Sequence, residues 1–317
     1  MDPRIIAVVG AGPVGGILAA HLCLAGNKIL LIDNWREHIE QIRSNGLRIF
    51  GVEEMLVRPE HLLFSVGEMG DIVPEFIFIC TKASDLDNVL TAFSERLKRA
   101  ETIFISAQNG IDTEEIVAQH IERRRVMRGV ISYAGVLTGP GEIQETFFSP
   151  PNYLGWLDEN GIKSCDEAAK IMSECGLATE TTGEVKKAVW RKAILNCGTM
   201  PIAALTGMSI KELMDFSPTR KLVELLLRES ITVAASLGFD YGPDFFEFAM
   251  DLYVRAGAHR PSMLVDIEKG RVTENPFLMR RIAEYAEEKG IPAPTQRTMA
   301  SLIEALDMRN RTRQAAT

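Results

Sequence analysis

Short apolar runs fill the first half of the chain, each followed by a longer stretch whose apolar positions recur every three or four residues. Arg4-Ile5-Ile6-Ala7-Val8-Val9 has the composition of a strand buried on both faces. Lys28-Ile29-Leu30-Leu31-Ile32, Glu75-Phe76-Ile77-Phe78-Ile79-Cys80 and Thr102-Ile103-Phe104-Ile105-Ser106 repeat that pattern. Helical spacing covers 16–25, 36–45, 85–98 and 113–121, and Gly46 suits the C-terminal cap of the second helix. Such alternation predicts an α/β fold with a doubly wound, Rossmann-like parallel sheet. Residues 47–50 and 54–59 read as a strand pair and 126–133 as a further strand. The turn-rich stretch 139–155 suits the antiparallel edge of a mixed sheet, with a helix over 165–175 and a last strand over 178–182.

From Glu184 onward helical periodicity dominates, over 185–196, 209–214, 219–237, 244–256, 275–289 and 295–306. A doubly wound domain over 1–183 and a mostly helical domain over 184–317 are therefore expected. The polar tail, 310–317, is expected to fray.

The turn after the first strand, Gly10-Ala11-Gly12-Pro13-Val14-Gly15, changes the picture most. Gly10 permits a tight turn, Gly12 lets a pyrophosphate approach the backbone, and Gly15 lets strand and helix pack closely. The helix N-terminus beyond them offers free N–H groups and a positive dipole end. Asp33 ends the second strand, 18 residues after Gly15, where a carboxylate can accept hydrogen bonds from ribose hydroxyls. A glycine-rich turn alone is weak. Strand, turn, helix and terminal acid in register point to NAD or NADP, and Asp33, which would repel a 2′-phosphate, favours NAD.

Bulk properties narrow the rest. At 317 residues the chain exceeds one typical domain, and its 46% hydrophobic and 25% charged content are ordinary for a globular protein. A net charge of −8 argues against nucleic acid or an anionic membrane as partner, but not against an anionic small molecule held in a local basic pocket. The five cysteines show no C-x-x-C and no metal-ligand spacing. Reduced thiols in a cytoplasmic protein without a metal site are expected, and no apolar run approaches a membrane span.

Lys82 and Asn109 both lie just past strand ends, where open α/β sheets bind ligands. Each alone reads as loop or turn chemistry; the pair favours a site. Lys192, Asn196 and Met200 fall four residues apart on one helix face, although a helical lysine is more often a solvated charge. Ser262 and Glu274 stand where helix caps are expected, and capping alone would account for Ser262.

Together these stretches resemble the ketopantoate reductases, which are 2-dehydropantoate 2-reductases, over nearly the whole chain. The resemblance rests on Gly10-x-Gly12-x-x-Gly15, Asn45-Gly46-Leu47-Arg48, Thr81-Lys82-Ala83 and Gln108-Asn109-Gly110. In the second half it rests on Trp190-x-Lys192-x-x-x-Asn196 with Ala204-Leu205-Thr206, and on Pro261-Ser262-Met263-x-x-Asp266-x-x-x-Gly270-Arg271-x-Thr273-Glu274. It implies reduction of a 2-oxo acid, with Lys192 as general acid and Glu274 as proton-relay partner touching substrate and cofactor. Asn109, Asn196, Met200 and Ser262 would line the substrate, and Lys82 and Asn109 would lie near the nicotinamide. A cytoplasmic homodimer with a small-molecule 2-oxo acid as substrate is the corresponding expectation. Ketopantoate leads as substrate, with a less polar 2-oxo acid or an opine-type substrate as alternatives. A non-catalytic NAD(P)-binding redox sensor is a third reading, which has no need of a proton donor.

Two departures bear on the substrate. Met200 stands where the family usually has Asn, and Asn275-Pro276-Phe277 replaces the usual run after Glu274.

Overall fold

The computed structural model describes residues 3–315. The chain divides into two compact units, one formed by 1–108 with 112–185, the other by 186–317 together with Asn109–Ile111.

The first unit is built on twelve strands: β1 (Ile5–Val9), β2 (Lys28–Ile32), β3 (Leu47–Gly51), β4 (Met55–Val57), β5 (His61–Leu63), β6 (Phe76–Ile79), β7 (Ile103–Ser106), β8 (Val126–Val130), β9 (Tyr133–Gly139), β10 (Glu142–Phe148), β11 (Asn152–Trp156) and β12 (Thr179–Thr181). Eight of them form the main sheet in the order β12-β11-β8-β7-β6-β1-β2-β5. All its pairings are parallel except β11 on β8. Strand order reverses beside β1, between β2 and β6, so the turns after β1 and β6 flank the switch point where such sheets bind ligands. The expected doubly wound sheet is present.

Helices α1 (Pro13–Leu24), α2 (Arg36–Asn45), α3 (Leu86–Ala92), α4 (Glu95–Arg99), α5 (Thr113–His120) and α6 (Ile162–Glu174) complete this unit. Helix α1 begins at Pro13, three residues earlier than its periodicity suggests, because proline at the first position loses no hydrogen bond. The stretch expected as one helix over 85–98 is two, separated where Ser94 caps α4 by accepting from the Leu97 N–H.

The strands expected at the edge of the main sheet behave differently. Of the stretch 139–155 only β11 joins that edge; β10 instead pairs with β9, whose residues 134–138 were not expected as a strand, in a second sheet of order β4-β3-β10-β9. Helix α1 is apolar nearly all round because that sheet covers it as well. A Cβ on Gly16 would come within 2.2 Å of Ile143 Cδ1 on β10. The short strand β5, too brief to carry a period, was not expected.

The second unit holds α7 (Val185–Thr206), α8 (Ile210–Asp215), α9 (Ser217–Ser236), α10 (Phe245–Arg255), α11 (Ser262–Glu268), α12 (Met279–Glu288) and α13 (Pro294–Ala315). Helix α7 runs ten residues beyond the expected 196, through Pro201, because its continuation is buried on Ile202, Ala203 and Ala204. The start of α13 is capped from a neighbour: the Thr295 and Gln296 N–H groups donate to the Glu229 carboxylate at 3.0 and 2.8 Å. The tail does not fray where expected. It stays helical to Ala315, and buried Asn310 donates to the Arg271 carbonyl at 3.0 Å; residues 316 and 317 lie outside the described residues. Among the described residues no helix is long and apolar enough to cross a membrane.

Candidate active site

In the first unit the site is the turn after β1. Gly10 takes φ +101°, a conformation that L side chains avoid, and a Cβ there would sit 2.7 Å from the Thr81 nitrogen. A Cβ on Gly15 would be 1.9 Å from the Gly10 carbonyl oxygen, whereas one on Gly12 would meet nothing within 4 Å. Two glycines are therefore required by packing, and the middle one faces open space. Pro13 and Val14 open α1 behind it, with Gly12 as its N-cap and no side chain satisfying the first turn. This is the cradle a diphosphate needs: unpaired N–H groups, a helix dipole and no side chain in the way. The nicotinamide dinucleotide fits it.

Asp33 closes the cradle. Its Oδ2 accepts from the Ala11 N–H at 2.7 Å and its Oδ1 from the Trp35 N–H at 2.9 Å. The carboxylate is thus oriented by its own backbone, and each oxygen keeps a further lone pair with which it could accept from a ligand hydroxyl. The Ala11 N–H is spent on Asp33, so a phosphate would find the N–H groups that follow it. Lys82 leaves β6 in extended conformation immediately before a single helical turn, Ala83–Asp85, and is half-buried.

The other candidates belong to the helical unit. Lys192, Asn196 and Met200 form one stripe along α7, the first two half-buried and Met200 9% exposed. The helix is held in place by two tyrosines, Tyr241 donating to the Lys187 carbonyl at 2.8 Å and Tyr253 to the Leu195 carbonyl at 2.7 Å. Gly198 leaves room for the second, since a Cβ there would lie 2.4 Å from its hydroxyl. Trp190 locks the same helix against Phe239 and Tyr285, with ring centroids 5.8 and 5.4 Å away.

Ser262 is the exposed first residue of α11, and its side chain caps nothing. Glu274 precedes a single turn, Asn275–Phe277, and makes no capping bond there either. The capping that would have explained both residues is absent. Glu274 is set by its neighbours instead. Thr273, buried, donates to Asp307 on α13 through its N–H at 2.9 Å and its hydroxyl at 2.8 Å. Asn275, also buried, donates to the Thr273 hydroxyl and to the Ala300 carbonyl. A carboxylate between two such anchors has a fixed backbone.

The segment Asn109–Ile111 packs with this same unit. Gly110 takes φ +116° with its Cα against Phe277, and the Ile111 N–H donates to the Phe277 carbonyl at 2.8 Å. Phe277 in turn donates to the Glu274 carbonyl at 3.0 Å, so Asn109 and Glu274 are brought into one hydrogen-bonded frame.

Several supporting residues escaped the sequence reading. Asp307 gave no signal, and Phe277 stood out only as part of the altered run after Glu274. Arg128 and Glu114, buried and 3.3 Å apart, gave only two charges in apolar surroundings, yet Arg128 holds the Ser106 and Gln108 carbonyls at the end of β7. His38 could have been found, since it shares the buried stripe of α2 with Ile39 and Ile42. Among the described residues no cluster of three or more metal-ligating side chains occurs. The Cys23, Cys80 and Cys165 thiols are each pushed up by burial, to about 12, which removes them from thiolate chemistry at neutral pH.

Comparison with known proteins agrees with this architecture. Residues 6–158 match the family described as ketopantoate reductase PanE/ApbA, and residues 184–307 match its C-terminal family. A 2-dehydropantoate 2-reductase of Streptococcus pyogenes is 28% identical over 95% of this chain and 97% of its own. One from Archaeoglobus fulgidus is 24% identical over 97% of this chain and 99% of its own. A solved complex of D-mandelate dehydrogenase with NADH superimposes with TM-score 0.83 at 25% identity, covering 96% of this chain and 99% of that one.

Proposed function

This chain belongs to the ketopantoate reductase family, and on that premise we propose that it reduces a 2-oxo acid with NADH, using Lys192 as the proton donor. Membership makes it an oxidoreductase acting on a CH–OH group with a nicotinamide cofactor. Residues 1–183 would hold the dinucleotide and 184–317 the substrate. When bound, the cofactor supplies the hydride.

The chain's own residues supply the rest. Charge develops on the carbonyl oxygen as the ketone is reduced. A lysine ammonium stabilises that charge and then gives up a proton to it. Glu274 orients the donor or a substrate hydroxyl, and its fixed backbone suits that task. Ser262, Asn109 and Asn196 offer neutral donors to the substrate carboxylate and oxygens, and Lys82 a positive charge close to the nicotinamide. The frame joining Asn109 to Glu274 carries this reading furthest, because a substrate ligand and a proton-relay carboxylate must keep a constant spacing.

Ketopantoate is the first candidate substrate. Met200 in the Lys192 stripe, and the likeness to an NADH-bound D-mandelate dehydrogenase, support a less polar 2-oxo acid as the second. Exposed Leu225, Val254, Leu302 and Met308 on the helical unit support a homodimer. Oxidation of NADH and NADPH with a panel of 2-oxo acids tests the reading. Turnover of none of them would remove it.

A further inference from the structure

His38 has no part in the assignment above, yet it holds the phosphate turn. The ring is 1% exposed. The Gly141 N–H donates to its Nδ1 at 2.9 Å, which leaves that nitrogen unprotonated and puts the ring hydrogen on Nε2. Nε2 then donates to the Ala11 carbonyl oxygen at 3.0 Å. The Trp35 indole stacks on the imidazole, with centroids 5.1 Å and planes 8° apart. One planar ring thus ties the turn after β1 to the turn between β9 and β10.

The consequence reaches the next peptide. In a planar trans peptide the C=O and N–H groups point in opposite directions. With the Ala11 oxygen fixed on His38, the Gly12 N–H is turned away from the buried ring, in a stretch where a Cβ would meet nothing. The Ala11 N–H is meanwhile fixed on Asp33. Both peptides flanking Ala11 are therefore held by the protein's own side chains.

We propose that His38 is a positioning residue for the cofactor: its Nε2–H holds the Ala11–Gly12 peptide in the orientation that presents the Gly12 N–H to the diphosphate. This rests on the dinucleotide reading of the turn. The arrangement works only while Nδ1 is bare, because a second ring proton would face the Gly141 N–H donor to donor. Burial lowers the pKa of His38 below the usual histidine value, against the opposing pull of the Ala11 carbonyl and of the Asp33 charge at the end of β2. The ring is neutral at neutral pH and the clasp opens on the acid side.

The test is NADH affinity of the full chain by fluorescence titration, at pH values from neutral down to about 5. His38→Leu removes both bonds and is expected to weaken NADH about 10- to 100-fold, the scale that loss of a supporting hydrogen bond has at metal sites, with kcat at saturating NADH little changed. His38→Gln keeps a neutral donor and acceptor; it should bind more tightly than the leucine variant and lack the wild-type loss of affinity at acid pH. A folded leucine variant that binds NADH as the wild type does overturns the proposal. So does a glutamine variant that follows the wild-type acid profile, which decides the matter if the leucine variant fails to fold. A wild-type protein that binds neither NADH nor NADPH would instead remove the dinucleotide reading itself.

Discussion

The amide of Ile111 donates to the carbonyl of Phe277 at 2.8 Å, across 166 residues of sequence. Gly110 allows the approach: a Cβ there would lie 2.5 Å from Phe277 Cβ and 3.1 Å from its oxygen. One hydrogen-bonded frame therefore links the segment that carries Asn109 to the one that carries Glu274. Phe277 belongs to the Asn275-Pro276-Phe277 run, so that run is built into the frame that spaces the two groups.

Gly110→Ala should break that frame. The new methyl collides with Phe277, and φ +116° is strained for alanine. The expected loss in kcat/KM is on the order of 100-fold, the effect of about 1 Å of misplacement, with NADH affinity nearly unchanged. Steady-state kinetics beside a cofactor titration measures both. Equal losses in both would place the effect on folding rather than on the frame.

Lys192→Ala should lower kcat by about 10²–10⁴-fold, the usual contribution of a positioned acid. NADH binding should be retained, because Lys192 lies in the helical unit and the glycine turn in the other. Activity within a few-fold of wild type would make Lys192 an ordinary solvated lysine.

NADH should be preferred over NADPH in kcat/KM by about tenfold or more, which needs only about 1.4 kcal/mol of repulsion between Asp33 and a 2′-phosphate. Asp33 cannot turn aside easily, since both its oxygens are tied to backbone N–H groups. The nearby cations are partly committed as well: Arg36 and Arg43 both stack on Phe64, 4.4 and 5.4 Å from its centroid. A clear preference for NADPH would show that one of these arginines leaves Phe64 for the phosphate.

Arg128→Ala should cost about 3–5 kcal/mol of stability, because it leaves Glu114 charged and buried beside carbonyls that Arg128 used to satisfy. The pair is 3% and 1% exposed at 3.3 Å. Denaturant unfolding reads the loss. Replacing both members, as Arg128→Met with Glu114→Leu, should recover part of it, and no recovery would mean the hydrogen bonds to Ser106 and Gln108 matter more than the charge.

Met200 gives the substrate prediction. An apolar side chain in the Lys192–Asn196 stripe offers no partner to a substrate hydroxyl, and an unpaired buried hydroxyl costs about 1–3 kcal/mol. Branched apolar 2-oxo acids should therefore rival ketopantoate in kcat/KM, and Met200→Asn should shift the ratio back. A wild-type preference of about tenfold or more for ketopantoate over 2-oxo-3,3-dimethylbutanoate, which lacks only the hydroxyl, would show the hydroxyl is read after all.

What could be read from the sequence is what depends on near neighbours. Buried strands announce themselves as apolar runs, and β1, β2, β6 and β7 fall within a residue or so of their expected bounds. The glycine turn was legible for the same reason, since Gly10, Gly12, Gly15 and Asp33 belong to one strand-helix-strand unit whose geometry is set locally. The stripe of Lys192, Asn196 and Met200 followed from helical spacing alone. Other features needed the folded chain. Strand β10 pairs with β3, placing Glu142 opposite Arg48, and no period in either strand names that partner. Hence β10, which reads as an edge strand of the main sheet, belongs to a second one. His38 reads as one more residue of an apolar stripe until Gly141 supplies the donor that fixes its tautomer. Ser262 and Glu274 read as caps until the structure shows that neither caps anything and that Asp307 anchors the chain beside Glu274. Periodicity records which side of an element is buried. It carries nothing about which distant backbone donor will meet which acceptor, and in this protein those long-range hydrogen bonds hold the candidate site residues in place.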